Sequence, residues 1–419
     1  MSASGNGIRT KSVFPLEKSY LYFNFKCMTL LGLWNPYENG FKHWLYLIYT
    51  IWILGVIVIM RTISTFVRTL TADTLIAFNR ESSVFAAEIA QIIKCTAFLL
   101  HRAEISELSN LFNWERRALS GEELRNWRDE VLSNSLIVSK TFTIVIIISA
   151  IQYFVFYFYS AFVQSDYQVE KLPMGSVPTK YLIASREFWF VFVVDYLLGT
   201  LQGIIALSQD AFLMTVMINI AAQLKILNFR VERCHVAHPV IEIKFNHKNL
   251  RIHFESIQDD NSPLVDPTQK LINCIKFHQQ ILKMLILFKV IYNKILLPQV
   301  LISLSMIVLQ LQLIMGKQMD GSDALVAYLF LFGVIVQLLA YCWGGNLILV
   351  ESEKTSDAIY ASHWYNQNKI FRNNLKIFLT ATKNPLVVTA GDLIALTAET
   401  FKNILSKGYS GAALLKNFE

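Results

Sequence analysis

Charge is the scarcest feature of this sequence. Only 16% of its 419 residues are Asp, Glu, Lys or Arg, whereas 54% are hydrophobic. The mean hydropathy is +0.40. A soluble chain of this length carries about a quarter charged residues, so the deficit excludes that class and points to an integral membrane protein. The net charge of +7 is ordinary for such a protein with basic loops. Cysteine is sparse too: Cys27, Cys95, Cys234, Cys274 and Cys342 all fall outside the segments assigned below to the exterior, which excludes an extracellular disulfide. No Asn-x-Ser/Thr sequon occurs, and the first twenty residues (MSASGNGIRTKSVFPLEKSY) lack the apolar core of a secretory leader. No phosphate-binding loop, nucleophile–base arrangement or basic nucleic-acid patch is present, so the expectation is a protein that is not an enzyme and needs no cofactor.

Long apolar runs are what the sequence has in abundance. Seven stretches suffice to cross a ~30 Å bilayer, which takes roughly 20 helical residues. They lie near 44–60, 82–100, 136–160, 188–216, 281–313, 325–349 and 386–415. The expectation is an all-α membrane protein of seven transmembrane helices. Segments flanking the odd-numbered spans on the N-terminal side carry 23 Lys and Arg against 10 opposite. Those segments are also longer, so charge density is about equal. The size of the N-side segments and the missing leader decide for a cytoplasmic N-terminus and an extracellular C-terminus.

Asn384-Pro385 raises the reading of a G-protein-coupled receptor, whose last helix carries Asn-Pro-x-x-Tyr. Here Leu386, Val387 and Val388 follow, the third span holds no Cys, Asp-Arg-Tyr is absent, and the orientation is reversed. Pro385 reads more simply as a helix break, splitting the last helical region. With about 100° per residue from Pro385, Asp392, Glu399, Asn403, Ser406, Ser410, Leu414 and Asn417 fall within about 40° of one line. This stripe, about 38 Å long at ~1.5 Å per residue, cannot face lipid. It is buried against neighbouring helices, lies on the membrane surface, or lines a water-filled pore in which the acidic groups favour cations and Leu414 forms a constriction.

Other polar groups have simpler readings. Glu88, Asp195 and Asp210 are ionisable and intramembrane, and pairing with Lys94, Lys140 or hydroxyls inside the bundle is the expectation. Cys234-His235-x-x-His238, with His247 and His253, fits no common zinc spacing and lies on an amphipathic helix, so no metal is expected. Pro298 breaks the fifth span, but no internal repeat supports a transporter.

Several strings resemble the insect odorant receptor family: LLGLW at Leu30–Trp34, CIKFHQQIL at Cys274–Leu282, YCWGGN at Tyr341–Asn346, DAIYASHWY at Asp357–Tyr365, and TAGDLIALTAETFKNILSKGYS at Thr389–Ser410. The Thr-Ala-Gly and Tyr-Ser ending, with a link of only Ala221–Gln280 between the fourth and fifth spans, resembles the ligand-tuning subunits rather than the co-receptor. The gustatory-type Thr-Tyr-(x)5-Gln-Phe ending is absent. The resemblance implies an odorant-gated, non-selective cation channel at the plasma membrane of olfactory neuron dendrites. It implies a heterotetramer with the co-receptor in membrane lipid, with neither nucleic acid nor a G protein required.

The organisation so implied is a cytoplasmic segment (1–43), the first four spans as an odorant-sensing bundle (44–216), a cytoplasmic link with anchor helices (217–280), the fifth and sixth spans (281–349), a second anchor segment (350–385), and a pore-lining helix with an extracellular C-terminus (386–419). Carried over position by position, the family's hydrophobic gate falls on Leu414 and Phe418, with Asn417 as a polar ring beside it. Cys274, His278, Tyr360, Trp364 and Tyr365 fall in the implied subunit anchor. The family's pocket, in the outer halves of spans two, three, four and six, would take a small volatile odorant. Its apolar candidates at helical spacing are Phe85 and Ile89; Ile151, Phe154 and Phe158; Phe188, Phe192 and Tyr196; and Tyr328 and Phe332.

Overall fold

The computed structural model describes residues 21–37, 39–118, 185–235, 266–315 and 321–416, isolated positions between 133 and 144, and short segments at 241–242 and 255–256. Five helical stretches among these residues are long and apolar enough to cross a membrane: Phe41–Leu70, Ala77–Leu100, Phe190–Glu232, Pro267–Met315 and Ala327–Asn366. The third expected span, at 136–160, lies almost wholly outside the described residues.

The chain divides into two compact units. The first comprises residues 1–109, 139–212 and 309–329; the second comprises 110–138, 213–308 and 330–419. In the first unit, α1 (Tyr22–Leu30) ends at Gly32, whose φ of +74° suits a residue without Cβ, as at a helix C-terminus. Leu33 N–H then bonds back to Met28 C=O at 2.9 Å. This turn is why the LLGLW string exists. It drops Trp34 into a cluster with Phe25, Phe98 and Phe212, ring centroids 4.6–6.2 Å apart, and Arg102 caps Trp34 at 4.9 Å. The first span follows as α2 (Phe41–Trp52), a π-helical stretch (Ile53–Met60) and α3 (Arg61–Leu70). Tyr46, Tyr49 and Thr50 donate hydroxyl bonds of 2.6–2.7 Å to the carbonyls of Thr29, Leu30 and Gly32. Thr74 starts α4 (Leu75–Leu100) by accepting the Ala77 N–H at 3.1 Å, and α5 (Arg102–Ala118) follows.

Charges inside this unit are paired. Arg61 meets Glu88 at 3.2 Å and Lys94 meets Asp210 at 2.7 Å. Gln91 donates to Gln209 at 2.9 Å. Asp195 is fully buried. Lys94 thus pairs with Asp210, while Glu88 takes an arginine that the sequence expectation had placed outside the spans.

The second unit is built on two very long helices. Part of α6 (Ser185–Glu232, 48 residues) and most of α7 (Pro267–Met315, 49 residues) run uninterrupted past their expected membrane boundaries, and α7 continues through Pro298, where the sequence pointed to a break. On α7 the buried positions Leu271, Cys274, His278, Ile281, Leu285, Phe288, Tyr292 and Ile295 alternate spacings of three and four, a heptad-type seam. On α8 (Gly321–Tyr360) the Gly344-Gly345 pair permits close approach: a Cβ on Gly344 would lie 2.7 Å from Met217, and one on Gly345 would strike the Leu396 backbone. Asn228 of α6 donates to Glu351 C=O at 2.9 Å and accepts from Thr355 at 2.8 Å. A short helix, α9 (Lys369–Thr382), starts on an Asn368 cap and packs Phe378 against His278 at 5.4 Å. In the link, β1 (Ile241–Glu242) pairs antiparallel with β2 (Glu255–Ser256).

The last span departs from expectation. The helix does not begin after Pro385. Residues 386–397 form a small hairpin, β3 (Thr389–Ala390) against β4 (Ile394–Ala395), and only then does α10 (Ala398–Lys416, 19 residues) start. The physical reason lies in two local signals. Gly391 and Asp392 sit at φ +61° and +55°, the mirror-image turn geometry that Gly and Asp tolerate. Thr397 accepts the Thr400 N–H at 3.2 Å, an N-cap reinforced by Glu399 in the first turn.

Candidate channel helix and ligand positions

With α10 beginning at Ala398, its length is about 28 Å at ~1.5 Å per residue, enough for most of a bilayer. One face is packed: Ile404 and Ala412 are buried, as is Gly408. Gly408 lies against Ile307, and Gly411 against Val308. The other face carries Glu399, Asn403, Ser406, Ser410 and Leu414, all exposed in the single chain, with Leu414 at 61%. The expected polar stripe therefore survives from Glu399 onward. Asp392 leaves it, standing in the hairpin turn seven residues earlier in the chain than Glu399. Asn417 and Phe418 lie outside the described residues.

The contacts also fix the direction of α10. Gly391 meets Leu297, Gly408 meets Ile307 and Leu304, and Gly411 meets Val308. Residue numbers rise together, so α10 runs parallel to the second half of α7. The hairpin and α10 together follow α7 from Asn293 to Val308, about 22 Å at ~1.5 Å per residue. Packing along a membrane-crossing helix favours the two readings in which the stripe crosses the bilayer.

Asp392 is held from several sides. Asn293 of α7 donates its Nδ2–H to the carboxylate at 2.7 Å, Thr389 donates its hydroxyl at 3.2 Å, and Lys289 lies 3.7 Å away. These partners, the Asn293 hydrogen bond first, hold its carboxyl below the usual carboxylate range although the side chain is exposed.

The expected ligand positions scatter. Phe85 and Ile89 are half-buried, with Phe85 stacked near Phe66 at 5.3 Å. Phe192 is buried and Tyr196 half-buried on α6. Phe188 lies on the same helix, but its side chain is outside the described set, as are Ile151, Phe154 and Phe158 altogether. Tyr328 and Phe332 are 54% and 67% exposed. Their spacing did place them on one helix face, but it is the outward face of α8; Ala327, Val334 and Leu338 take the inward one. Among the described residues nothing covers these two side chains, and packing, which spacing alone does not encode, decides which face turns inward.

The anchor candidates divide. Cys274 and His278 belong to the buried seam of α7, whereas Tyr360 and Tyr365 are 76% and 59% exposed and Trp364 is half-buried. Residues to which the sequence reading gave no role include Asn293 and Lys289, which stand in no recognisable motif, and Gly345, which lies in the YCWGGN string. Cys234 is buried, and burial pushes its thiol up to about 12. His235 meets His363 edge to face at 4.6 Å, and burial lowers its pKa.

Helices of this length and apolarity define a multi-span helical membrane protein. The family model described as "7tm Odorant receptor" matches residues 74–409, most of the chain, and the chain belongs to that family. It resembles odorant receptor 82a of Drosophila melanogaster, 29% identical over 179 residues (41% of this chain, 46% of the relative). It also resembles odorant receptor Or2 of Anopheles gambiae, 24% identical over 147 residues (35% and 39%). The matched stretch spans less than half the length of either relative. In fold it is similar to the olfactory receptor OR5 of Machilis hrabei in complex with eugenol, with a TM-score of 0.74 at 12% identity over 98% of this chain and 100% of that one. The fold is that of an insect odorant receptor, a class of receptors rather than enzymes.

Proposed function

We propose that this chain is the odorant-sensing subunit of an odour-gated, non-selective cation channel. It acts at the plasma membrane of olfactory dendrites in a heterotetramer with the family's co-receptor. A small volatile molecule fills an apolar pocket in the outer half of the helix bundle, without a G protein. The N-terminus is cytoplasmic, and α10 lines the pore, with Glu399 nearest its inner end and Leu414, Asn417 and Phe418 at the outer gate. Residues 217–280 and 350–385 supply the subunit anchor.

The observation that carries this reading is the two-sided character of α10. It runs lengthwise on a span, packs through Ile404, Gly408 and Ala412, and leaves Glu399, Asn403, Ser406 and Ser410 uncovered. At membrane depth such a face is stable only against water or polar protein, since each uncompensated charge costs ~3 kcal/mol or more. A ring of copies of α10 around water satisfies it, and the acidic side chain favours cations. The test is whole-cell current from cells expressing the chain with the co-receptor, under a volatile panel and with guanine-nucleotide signalling blocked. Fast odour-evoked cation current that survives the block is the expected result. Current that vanishes under the block would replace the channel with a coupled receptor.

A further inference from the structure

The hairpin ahead of α10 is fastened to α7 by one residue. Asn293 uses its backbone carbonyl to accept the Gly391 N–H at 2.9 Å. Its side-chain Oδ1 accepts the Asp392 N–H at 3.0 Å, and its Nδ2 donates to the Asp392 carboxylate at 2.7 Å. All three bonds land on a two-residue turn that already spends two positive φ angles. The turn seats closely because Gly391 has no Cβ: one built there would lie 2.5 Å from the Leu297 side chain. A glycine is therefore required at this position both for φ and for space. The next residue of α7 is Pro298, which removes an N–H from the ladder and strains the carbonyl four residues earlier, weakening the helix just where the turn is seated. From the turn, five residues lead to the first residue of α10.

We propose that Asn293 is a positioning residue for gating: with Asp392 it clamps the foot of α10 to α7 in one state of the channel and releases it in the other. The proposal rests on α10 being the channel wall. Asp392 then acts as the clamp's anion and not as a ring of the pore, which its exit from the Glu399 face already indicates. The clamp suits this task because its Asp392 end is exposed, with the side chain 69% accessible, while Asn293 is half-buried on α7. Water replaces its bonds at little cost, so it can open and close. The Lys289 ammonium, 3.7 Å from the carboxylate, adds a longer and exposed contact from the same helix, which is worth little by itself.

The experiment records concentration–response curves and unitary conductance for the chain co-expressed with the co-receptor, alongside surface labelling. Asn293→Asp sets two carboxylates against each other. The expected result is a shift in half-maximal odorant concentration of about fivefold or more, the size of a charge-assisted hydrogen bond present in one state only. Unitary conductance should not change. The swap Asn293→Asp with Asp392→Asn restores the reciprocal bonds with donor and acceptor exchanged and should return the curve toward wild type. Asn293→Ala, which introduces no charge, serves if Asn293→Asp does not reach the surface and should shift the curve in the same direction by less.

Three results would overturn the clamp: unshifted curves in both single variants at normal surface levels, a swap no better than the single changes, or altered conductance in Asp392→Asn. The last would return Asp392 to the pore wall. Failure of the channel reading itself shows separately, as wild-type current that disappears when guanine-nucleotide signalling is blocked.

Discussion

Two sets of polar groups on the helices of this protein are treated oppositely. In the first unit, Arg61 with Glu88, Lys94 with Asp210, and Gln91 with Gln209 are buried and joined to each other. On α10, Glu399, Asn403, Ser406 and Ser410 are exposed, and Glu399 forms no ion pair among the described residues. Both sets would be costly in hydrocarbon. The first set solves the problem within the chain, so its role is to hold helices together. The second leaves it unsolved within the chain and needs something outside it. A polar residue in a membrane helix is thus informative about function only once its partner is known.

This contrast yields predictions of graded size. Breaking a buried pair should do the most harm. Lys94→Met strands the Asp210 carboxylate, and removing one member of such a pair costs ~3–5 kcal/mol. Surface labelling should fall to near background, and adding Asp210→Leu should restore much of it. Gly345→Ala comes next: its methyl meets the Leu396 backbone, which cannot rotate away, and overpacking of this kind costs ~1–3 kcal/mol. Surface level and thermal stability in detergent should drop measurably. Glu399→Lys should leave surface labelling near wild type, since exposed substitutions stay within about 0.5 kcal/mol, while reducing cation current and selectivity. Conductance, selectivity and block all unaltered would remove α10 from the pore wall. Ser410→Ala should be smallest, with normal expression and at most a slight change in conductance.

Much of the candidate site was legible early because it depends on period and chemistry alone. The face joining Glu399, Asn403, Ser406, Ser410 and Leu414 follows from helical spacing, and the structure keeps it. What misled was the starting point. A helix numbered from Pro385 swept Asp392 into the stripe, although Gly391-Asp392 followed by Thr397 and Glu399 reads as a turn and then a cap. Tyr328 and Phe332 show a different limit. Their shared face was legible, but whether that face turns in or out depends on what packs against α8.

The sequence by itself determined the membrane class, the positions of the long apolar helices and the polarity of the last one, because hydropathy and periodicity are properties of residues in order. Only the tertiary structure decided that Arg61 takes Glu88, that α10 runs parallel to α7, and that Asn293 holds the turn at Gly391-Asp392. Asn293 and Asp392 are 99 residues apart in the chain. No local pattern encodes a hydrogen bond across that distance; it exists because α7 and the hairpin are packed together by the burial of side chains elsewhere.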